Sequence, residues 1–217
     1  MVLNRIAKGD YGYLEKQTQR ELIKTLIFFM SSFGVLLIGI ILTGTKNNLL
    51  TIVAVLGFLP AAKELITCIM FTKAKKFRCP QAFYDEVQNA IIRSGDGTKA
   101  DDTDKDDTDG AGTDEADVPL VVYDLYMTSQ EKNYPILSMC CRNKTLIGIA
   151  DWQKFDYPKA EEHIRIMLKQ NGHKNVAVKI FPEREKYISR IKELQEQKAE
   201  HVEEDQAILR LMLNLSL

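Results

Sequence analysis

The sequence predicts a two-helix transmembrane hairpin followed by a small cytosolic α/β domain. Two apolar runs, Thr25–Leu42 and Leu49–Phe71, lie close together near the start of the 217-residue chain. The first run contains no charged residue, and the second is interrupted only by Lys63 and Glu64. Because about 20 helical residues cross about 30 Å of hydrocarbon, each run is long enough to span a bilayer. Further along, short apolar runs alternate with helical patterns in the order α-β-β-β-α-β-α, which is typical of one sheet with helices packed on it.

Basic residues flank the predicted hairpin, which we place at residues 22–72. Lysines and arginines precede the first run and follow the second, whereas the link between the runs offers only Lys46. Since Lys and Arg collect on the cytoplasmic side of short loops, both termini and the main domain are expected in the cytoplasm. The first run begins late and is followed at once by a second span, which argues against a signal peptide. We therefore predict an integral membrane protein that contacts the lipid bilayer directly, with residues 1–21 forming a cytosolic lead-in helix.

Several residues in or beside the predicted spans are candidate functional residues. An ionisable side chain inside a span is costly and often functional, so Lys63 and Glu64 raise the alternative of a pore-forming or transport-coupled oligomer. Both lie close to the expected inner edge of the membrane, where a lysine extends its amine to water and Glu64 can meet Lys24 of the first run. We favour this structural interpretation. Gly57 and Ala61 form a small-x-x-x-small pair suited to close helix packing.

Two segments of opposite character follow the hairpin. Residues 73–93 begin with a basic cluster and continue as a helix after Pro80, with apolar residues at helical spacing. Residues 94–117 hold ten acidic residues and two lysines among Gly, Thr and Ala, so we predict a disordered acidic loop that cannot bury enough apolar surface to fold. Its aspartates do not match the ligand spacing of a calcium-binding loop. The rest of the chain carries 27 of the 29 basic and 20 of the 30 acidic residues, and is therefore basic.

Residues 118–182 are predicted to form the core of the α/β domain, and their order of elements is shared by the restriction-endonuclease-like core. That chemistry needs an acidic residue on one strand and a carboxylate-x-Lys on the next, which together hold Mg²⁺. Asp124 suits the first role. The second predicted strand has no carboxylate, and the third has an acid only at its end, Asp151, with Lys154 three residues on. A membrane-tethered, degenerate nuclease-like enzyme is therefore an alternative that depends on topology alone.

No other pattern predicts catalysis, a cofactor, a metal site or specific nucleic-acid binding. The chain has no Gly-rich phosphate loop after a strand and no Gly-x-Ser-x-Gly motif. Its three histidines lack the spacing of metal ligands. The four cysteines form no Cys-x-x-Cys pair, and in a reducing cytosol disulfides are not expected.

Residues 183–217 are predicted to be one long helix with an apolar end. Apolar positions keep the 4-3 spacing of a coiled coil, but three central positions are polar. We expect the helix to pack on its own domain as far as Leu194 and to cross solvent beyond it. It then presents a terminal apolar stripe to a sister chain, another protein partner, the hairpin or the membrane surface. The stripe consists of Ile208, Leu211, Met212 and Leu215.

The sequence as a whole favours a membrane-anchored cytosolic binding or assembly module over an enzyme. Such a protein would be an accessory or oligomerising subunit without catalysis. The reason is that no stretch brings a nucleophile, a base and a charge stabiliser together.

Overall fold

The chain divides into two compact units, a helical hairpin and an α/β domain. The computed structural model describes residues 7–44, 49–95, 120–129 and 132–217. In that part of the chain the hairpin covers Gly12–Arg78, and the α/β domain combines Ala7–Tyr11 with Cys79–Leu217. The predicted acidic loop at 94–117 lies outside the described residues, apart from its first two, which end a helix.

Two long helices, α1 (Tyr13–Thr43) and α2 (Leu49–Ala74), form the hairpin. Glycines in the left-handed region bound α1, with φ 79° at Gly12 and φ 66° at Gly44. Glycine takes this conformation without the steric penalty of a Cβ atom, so it ends helices efficiently. The predicted lead-in helix over 1–21 therefore begins only at Tyr13, since Ala7–Tyr11 belongs to the α/β domain.

Four strands form one mixed sheet in the order β1-β2-β3-β4. Its strands are β1 (Leu120–Thr128), β2 (Asn133–Arg142), β3 (Thr145–Ile149) and β4 (Ala177–Phe181). The first three strands pair antiparallel, and β3 pairs parallel with β4. A parallel pair needs a crossover connection, which contains α4 (Tyr157–Gln170). A small mixed sheet with packed helices confirms the predicted α/β class.

Helices cover both faces of the sheet and give the domain two apolar cores. One face packs against α3 (Gln81–Gly95) and α5 (Arg184–Gln195), and the other against α4 and α6 (Val202–Leu215). The first core includes Phe83, Val87, Leu137, Cys140, Tyr187 and Ile191. The second includes Ile136, Met139, Ile164, Leu168, Ile208 and Met212. The domain is therefore a three-layer α/β/α sandwich.

Side chains from α4 satisfy the outer edge of β4. The buried carboxylate of Glu161 accepts the Ile180 N–H at 3.0 Å, and Arg165 donates to the Val178 carbonyl at 3.0 Å. Glu161 also pairs with Lys179 at 3.2 Å. The free N–H and C=O groups of an edge strand can pair with another chain. Here the Ile180 N–H and the Val178 carbonyl are instead bonded to side chains of α4.

The opposite edge, along β1, is covered by residues from both ends of the described chain. Tyr123 donates its N–H to the Gly9 carbonyl at 2.7 Å, and the Leu217 N–H donates to the Tyr126 carbonyl at 3.0 Å. Gly9 has φ 98°, a conformation that glycine adopts without strain, and its Cβ position would lie 2.7 Å from Leu213 Cδ2. The short segment before α1 is thus an integral part of the α/β domain.

The prediction of one long C-terminal helix is wrong, because the chain breaks between α5 and α6. Helix α5 packs on one face of the sheet and α6 on the other, which a single straight helix cannot do. The connection is held by the β2–β3 turn: Arg142 donates twice to the Gln197 carbonyl, at 3.0 and 2.6 Å, and Asn143 Nδ2 donates to the Lys198 carbonyl at 2.8 Å.

The predicted partner-binding stripe on α6 also needs correction. Ile208 and Met212 have 0% exposure and pack into the core of their own domain, and Leu211 and Leu215 are half-buried against the same core. The apolar period that suggested an external partner reflects packing against β1 and β2. Ile208 and Met212 are therefore not surface residues.

The edge of β4 yields the first prediction. Glu161→Ala removes the acceptor of a buried N–H, which should lower the free energy of unfolding by about 1–3 kcal/mol. Glu162→Ala, at the exposed neighbouring position, is the matched control and should change it little. Thermal unfolding of the full chain in detergent measures both, and equal losses for the two variants would contradict this role of Glu161.

Candidate functional site

The interface between α1 and α2 is built from small and polar side chains at seven-residue intervals. The Thr18 and Thr25 hydroxyls donate to carbonyls of their own helix, Leu14 at 2.6 Å and Glu21 at 2.8 Å. Each hydroxyl oxygen also lies 3.2 Å from a carbonyl oxygen of the opposite helix, that of Phe71 for Thr18 and that of Glu64 for Thr25. A Cβ atom on Gly57 would lie 2.9 Å from Ser32 Oγ. We call this interface the polar seam, and its period is that of two antiparallel helices packed as a coiled coil.

Buried small residues let the two helix backbones approach each other along the seam. Ala54 and Ala61 on α2 are 1% and 0% exposed, and Cys68 is also buried. Small residues at a helix interface permit close packing where no water drives the association. Gly57 and Ala61 therefore lie at the contact between α1 and α2. The sequence predicted that this pair suits close helix packing but did not identify the partner helix.

The outer surface of the hairpin is apolar. Of the described large hydrophobic residues that are exposed, all but Ile166 lie on α1 or α2, with exposures as high as 78% at Ile41 and 68% at Leu59. Two stretches, Tyr13–Leu42 and Thr51–Phe77, are long and apolar enough to cross a membrane, yet only 17% of each apolar window is buried. A core helix of a soluble protein would be mostly buried. The hairpin instead has polar groups at the contact between its helices and apolar groups on its outer surface, which is the reverse of the arrangement in a soluble protein.

A cluster of polar side chains lies on the polar seam near the start of α1. The Glu21 carboxylate is 5% exposed and accepts from Lys24 Nζ at 2.8 Å and Gln17 Nε2 at 2.7 Å. The ion pair of Lys24 is thus with Glu21, and not the expected one with Glu64. Glu64 is half-buried and Lys63 exposed. The sequence analysis did not identify Glu21 as a candidate. Its position three residues after Thr18 and four before Thr25 places it on the same face of α1 as these two threonines.

The antiparallel pairing places the three charged candidates at one depth. Since Thr25 lies opposite Glu64, Lys24 lies level with residue 65, within about 3 Å of the level of Lys63 along the axis. From Thr25 to Leu42, α1 rises about 27 Å without a charge. That distance is close to the hydrocarbon thickness of a bilayer, about 30 Å. Exposed apolar side chains continue past the charges, at Leu22 and Ile23 on α1 and between Leu65 and Met70 on α2, so the charges lie within the last part of the apolar surface.

The carboxylates that were candidates for nuclease chemistry bind groups of the protein itself. Asp124 is 3% exposed, has φ 57°, and accepts the Cys79 N–H at 2.7 Å. Asp151 pairs with Arg184 at 3.1 Å. Asp124 thus holds the chain just before α3 against the sheet. Within the described residues no group of three or more His, Cys, Asp or Glu side chains could hold a metal ion.

Cys79 and Cys140 of the α/β domain are poor nucleophiles. All four cysteines of the chain are buried and free. Burial, together with the nearby Asp124 carboxylate, raises the pKa of Cys79 to about 12, and burial raises the pKa of Cys140 to about 12. The reactive form is the thiolate, which is scarce at neutral pH when the pKa is this high. They serve as apolar core residues.

A shallow groove of about 810 Å³ lies between the β1–β2 end of the sheet and α4. The His163 ring lies 5.7 Å from the Tyr134 ring, and burial lowers the pKa of His163, which favours the neutral imidazole. The exposed Ile166 also lines it, with Lys159 and Glu162. This groove has both polar and apolar lining residues, and no sequence pattern predicted it.

Comparison with known proteins gives no match: no family model, no curated protein and no solved structure matches the chain. The functional argument therefore depends on the geometry of this chain alone.

The polar seam yields a prediction with a matched glycine control. Gly57→Leu places a side chain against Ser32 and should destabilise the hairpin by about 1–3 kcal/mol through overpacking. No atom lies within 4 Å of the Cβ position at Gly34, so Gly34→Leu should be tolerated. The thermal midpoint of each full-length variant in detergent distinguishes them. If Gly34→Leu lowers the midpoint as much, the seam does not depend on close approach at Gly57.

Proposed function

We propose that this chain is an integral membrane protein whose hairpin spans the bilayer twice and anchors the α/β domain at the cytoplasmic face. In this proposal the protein is a binding or assembly module, an accessory or oligomerising subunit without catalysis of its own. The reversed hairpin, apolar outside and polar within, is the observation that carries the membrane assignment. Lipid tails solvate such an outer surface, whereas water does not.

The path of the chain supports two spans. Residues Ala7–Tyr11, before α1, and residues from Cys79 onward, after α2, belong to the same α/β domain. In a bilayer the start of α1 and the end of α2 would then lie on one side, which requires an even number of crossings. The basic residues near these two ends, Lys16 and Arg20 among them, favour the cytoplasmic side.

The use of polar groups in the α/β domain supports binding over catalysis. Asp205 accepts the N–H groups of Asn143 and Lys144 at 2.7 and 2.9 Å, and Glu161 and Asp124 likewise accept main-chain N–H groups. These carboxylates stabilise turns, edges and helix starts. The protein partner or second copy expected at α6 would have to use the half-buried Leu211 and Leu215, or the groove beside Ile166.

The nuclease-like alternative makes a different prediction about Asp151. If the domain hydrolyses phosphodiesters, the full chain should cleave DNA in the presence of Mg²⁺, and Asp151→Asn should abolish the cleavage. The proposal predicts no cleavage above that of buffer for either protein. Asp151 is exposed on the surface, so its substitution should leave the fold intact.

The pore-forming alternative rests on Lys63 and Glu64. Their place within the last part of the apolar surface, level with Lys24, favours contact with headgroups and water over a conducting path. A path across the bilayer would need polar side chains on the outward faces of α1 and α2, and those faces carry large apolar residues such as Leu26, Leu37 and Val55.

The membrane proposal predicts the labelling pattern of two single cysteines. In intact cells, a membrane-impermeant maleimide should label Asn47→Cys in the link and not Gln170→Cys on the exposed side of α4. The native cysteines are buried and should give a low background. Lysed cells supply the control, where both positions should react. Labelling of Gln170→Cys in intact cells, or release of the protein from membranes by alkaline carbonate, would overturn the proposal.

A further inference from the structure

One end of the hairpin carries a group of basic side chains on both helices, which we call the basic collar. Its members are Lys16, Arg20 and Lys24 on α1 and Lys63, Lys73 and Lys76 on α2 or just after it. All are exposed except Arg20, which is half-exposed. The other end of the hairpin, at the link, offers only Lys46 in the sequence.

The basic side chains of the collar outnumber the carboxylates at this end of the hairpin. Glu15 pairs with Lys75 at 3.3 Å and with Arg78, Glu21 pairs with Lys24, and the half-buried Glu64 directly follows Lys63. Among the described residues, no carboxylate forms an ion pair with Lys16, Lys73 or Lys76. The collar therefore keeps a surplus of positive charge.

The pairing of the two helices arranges the collar in two tiers. Thr18 lies opposite Phe71, so Lys16 lies level with Lys73. The upper tier, Lys24 and Lys63, lies near the end of the apolar surface. The lower tier, Lys16 and Lys73, lies about 12–15 Å further along the axis, and Lys76 lies about 20 Å further. The polar layer of a bilayer adds about 5–8 Å on each side of the hydrocarbon, so one tier reaches headgroups and the other lies within the screening distance of their charge.

We propose that the basic collar binds the anionic headgroups of phospholipids, so that the bilayer next to this protein is enriched in anionic lipid. This inference rests on the proposed membrane insertion and goes beyond it, because orientation alone requires no retained lipid. The ammonium groups of the upper tier can donate to phosphate oxygens of the headgroups, and the lower tier attracts the same anionic headgroups across the screening distance. The adjoining apolar surface of the hairpin accommodates the acyl chains of the same lipid molecules.

The test is a lipid titration of the intact protein in mild detergent, followed by native mass spectrometry. Each basic residue near an anionic surface contributes a factor of about five, so phosphatidylglycerol should bind at least about 25-fold more tightly than phosphatidylcholine with the same acyl chains. Lys16→Gln with Lys73→Gln, which removes the lower tier, should weaken phosphatidylglycerol binding by about 25-fold at low salt. Binding of phosphatidylcholine should not change.

A matched double variant separates the collar from net charge. Lys169→Gln with Lys174→Gln removes two exposed lysines of the α/β domain and should leave lipid binding unchanged. Equal affinity for the two lipids, or equal loss in both double variants, would overturn the collar proposal. Those results would leave membrane insertion standing, since the cysteine labelling tests it separately, whereas failure of that labelling would remove the basis of both.

Discussion

The close antiparallel contact of α1 with α2 is the constraint on which the rest of the account depends. Small and polar side chains at the interface let the two helices approach closely. The Thr18 and Thr25 hydroxyls, which donate to carbonyls of α1, each lie 3.2 Å from a carbonyl oxygen of α2, and Ser32 fits against Gly57. The contact fixes the pairing of the helices, and the pairing in turn fixes the depth of every charged residue on them.

In the α/β domain, hydrogen-bonding groups at both edges of the sheet are bonded to other parts of the chain. Its outer strands would offer free hydrogen-bonding groups, and the chain covers them with Glu161 and Arg165 on one side and with Gly9 and Leu217 on the other. The segment carrying Gly9 leads directly into α1. The same short stretch therefore completes the domain and begins the hairpin, so the domain is joined to the hairpin through two points of the chain rather than one.

Much of the architecture could be predicted from local patterns, and the failures have physical causes. The apolar helices and the strands follow from composition and period, which depend on nearby residues alone. The prediction of one long C-terminal helix was wrong because the helix is interrupted between α5 and α6. There Arg142 and Asn143, which are distant in sequence, donate hydrogen bonds to main-chain carbonyls of the connection. Asp205 is one of the three polar positions that interrupt the 4-3 spacing of the predicted C-terminal helix. In the structure it accepts two N–H groups of the β2–β3 turn. No local pattern reports such long-range bonds. The polar seam was within reach, since Thr18, Thr25 and Ser32 repeat every seventh residue.

The central claim is that the hairpin lies in the bilayer with its apolar surface toward lipid. Spin labels at Leu37, on the outer surface of α1, and at Gln170, on the domain, test it in reconstituted membranes. The account predicts that the Leu37 label relaxes with dissolved oxygen and is shielded from a water-soluble nickel complex, with the opposite behaviour at Gln170. Equal access of the nickel complex to both labels would contradict it.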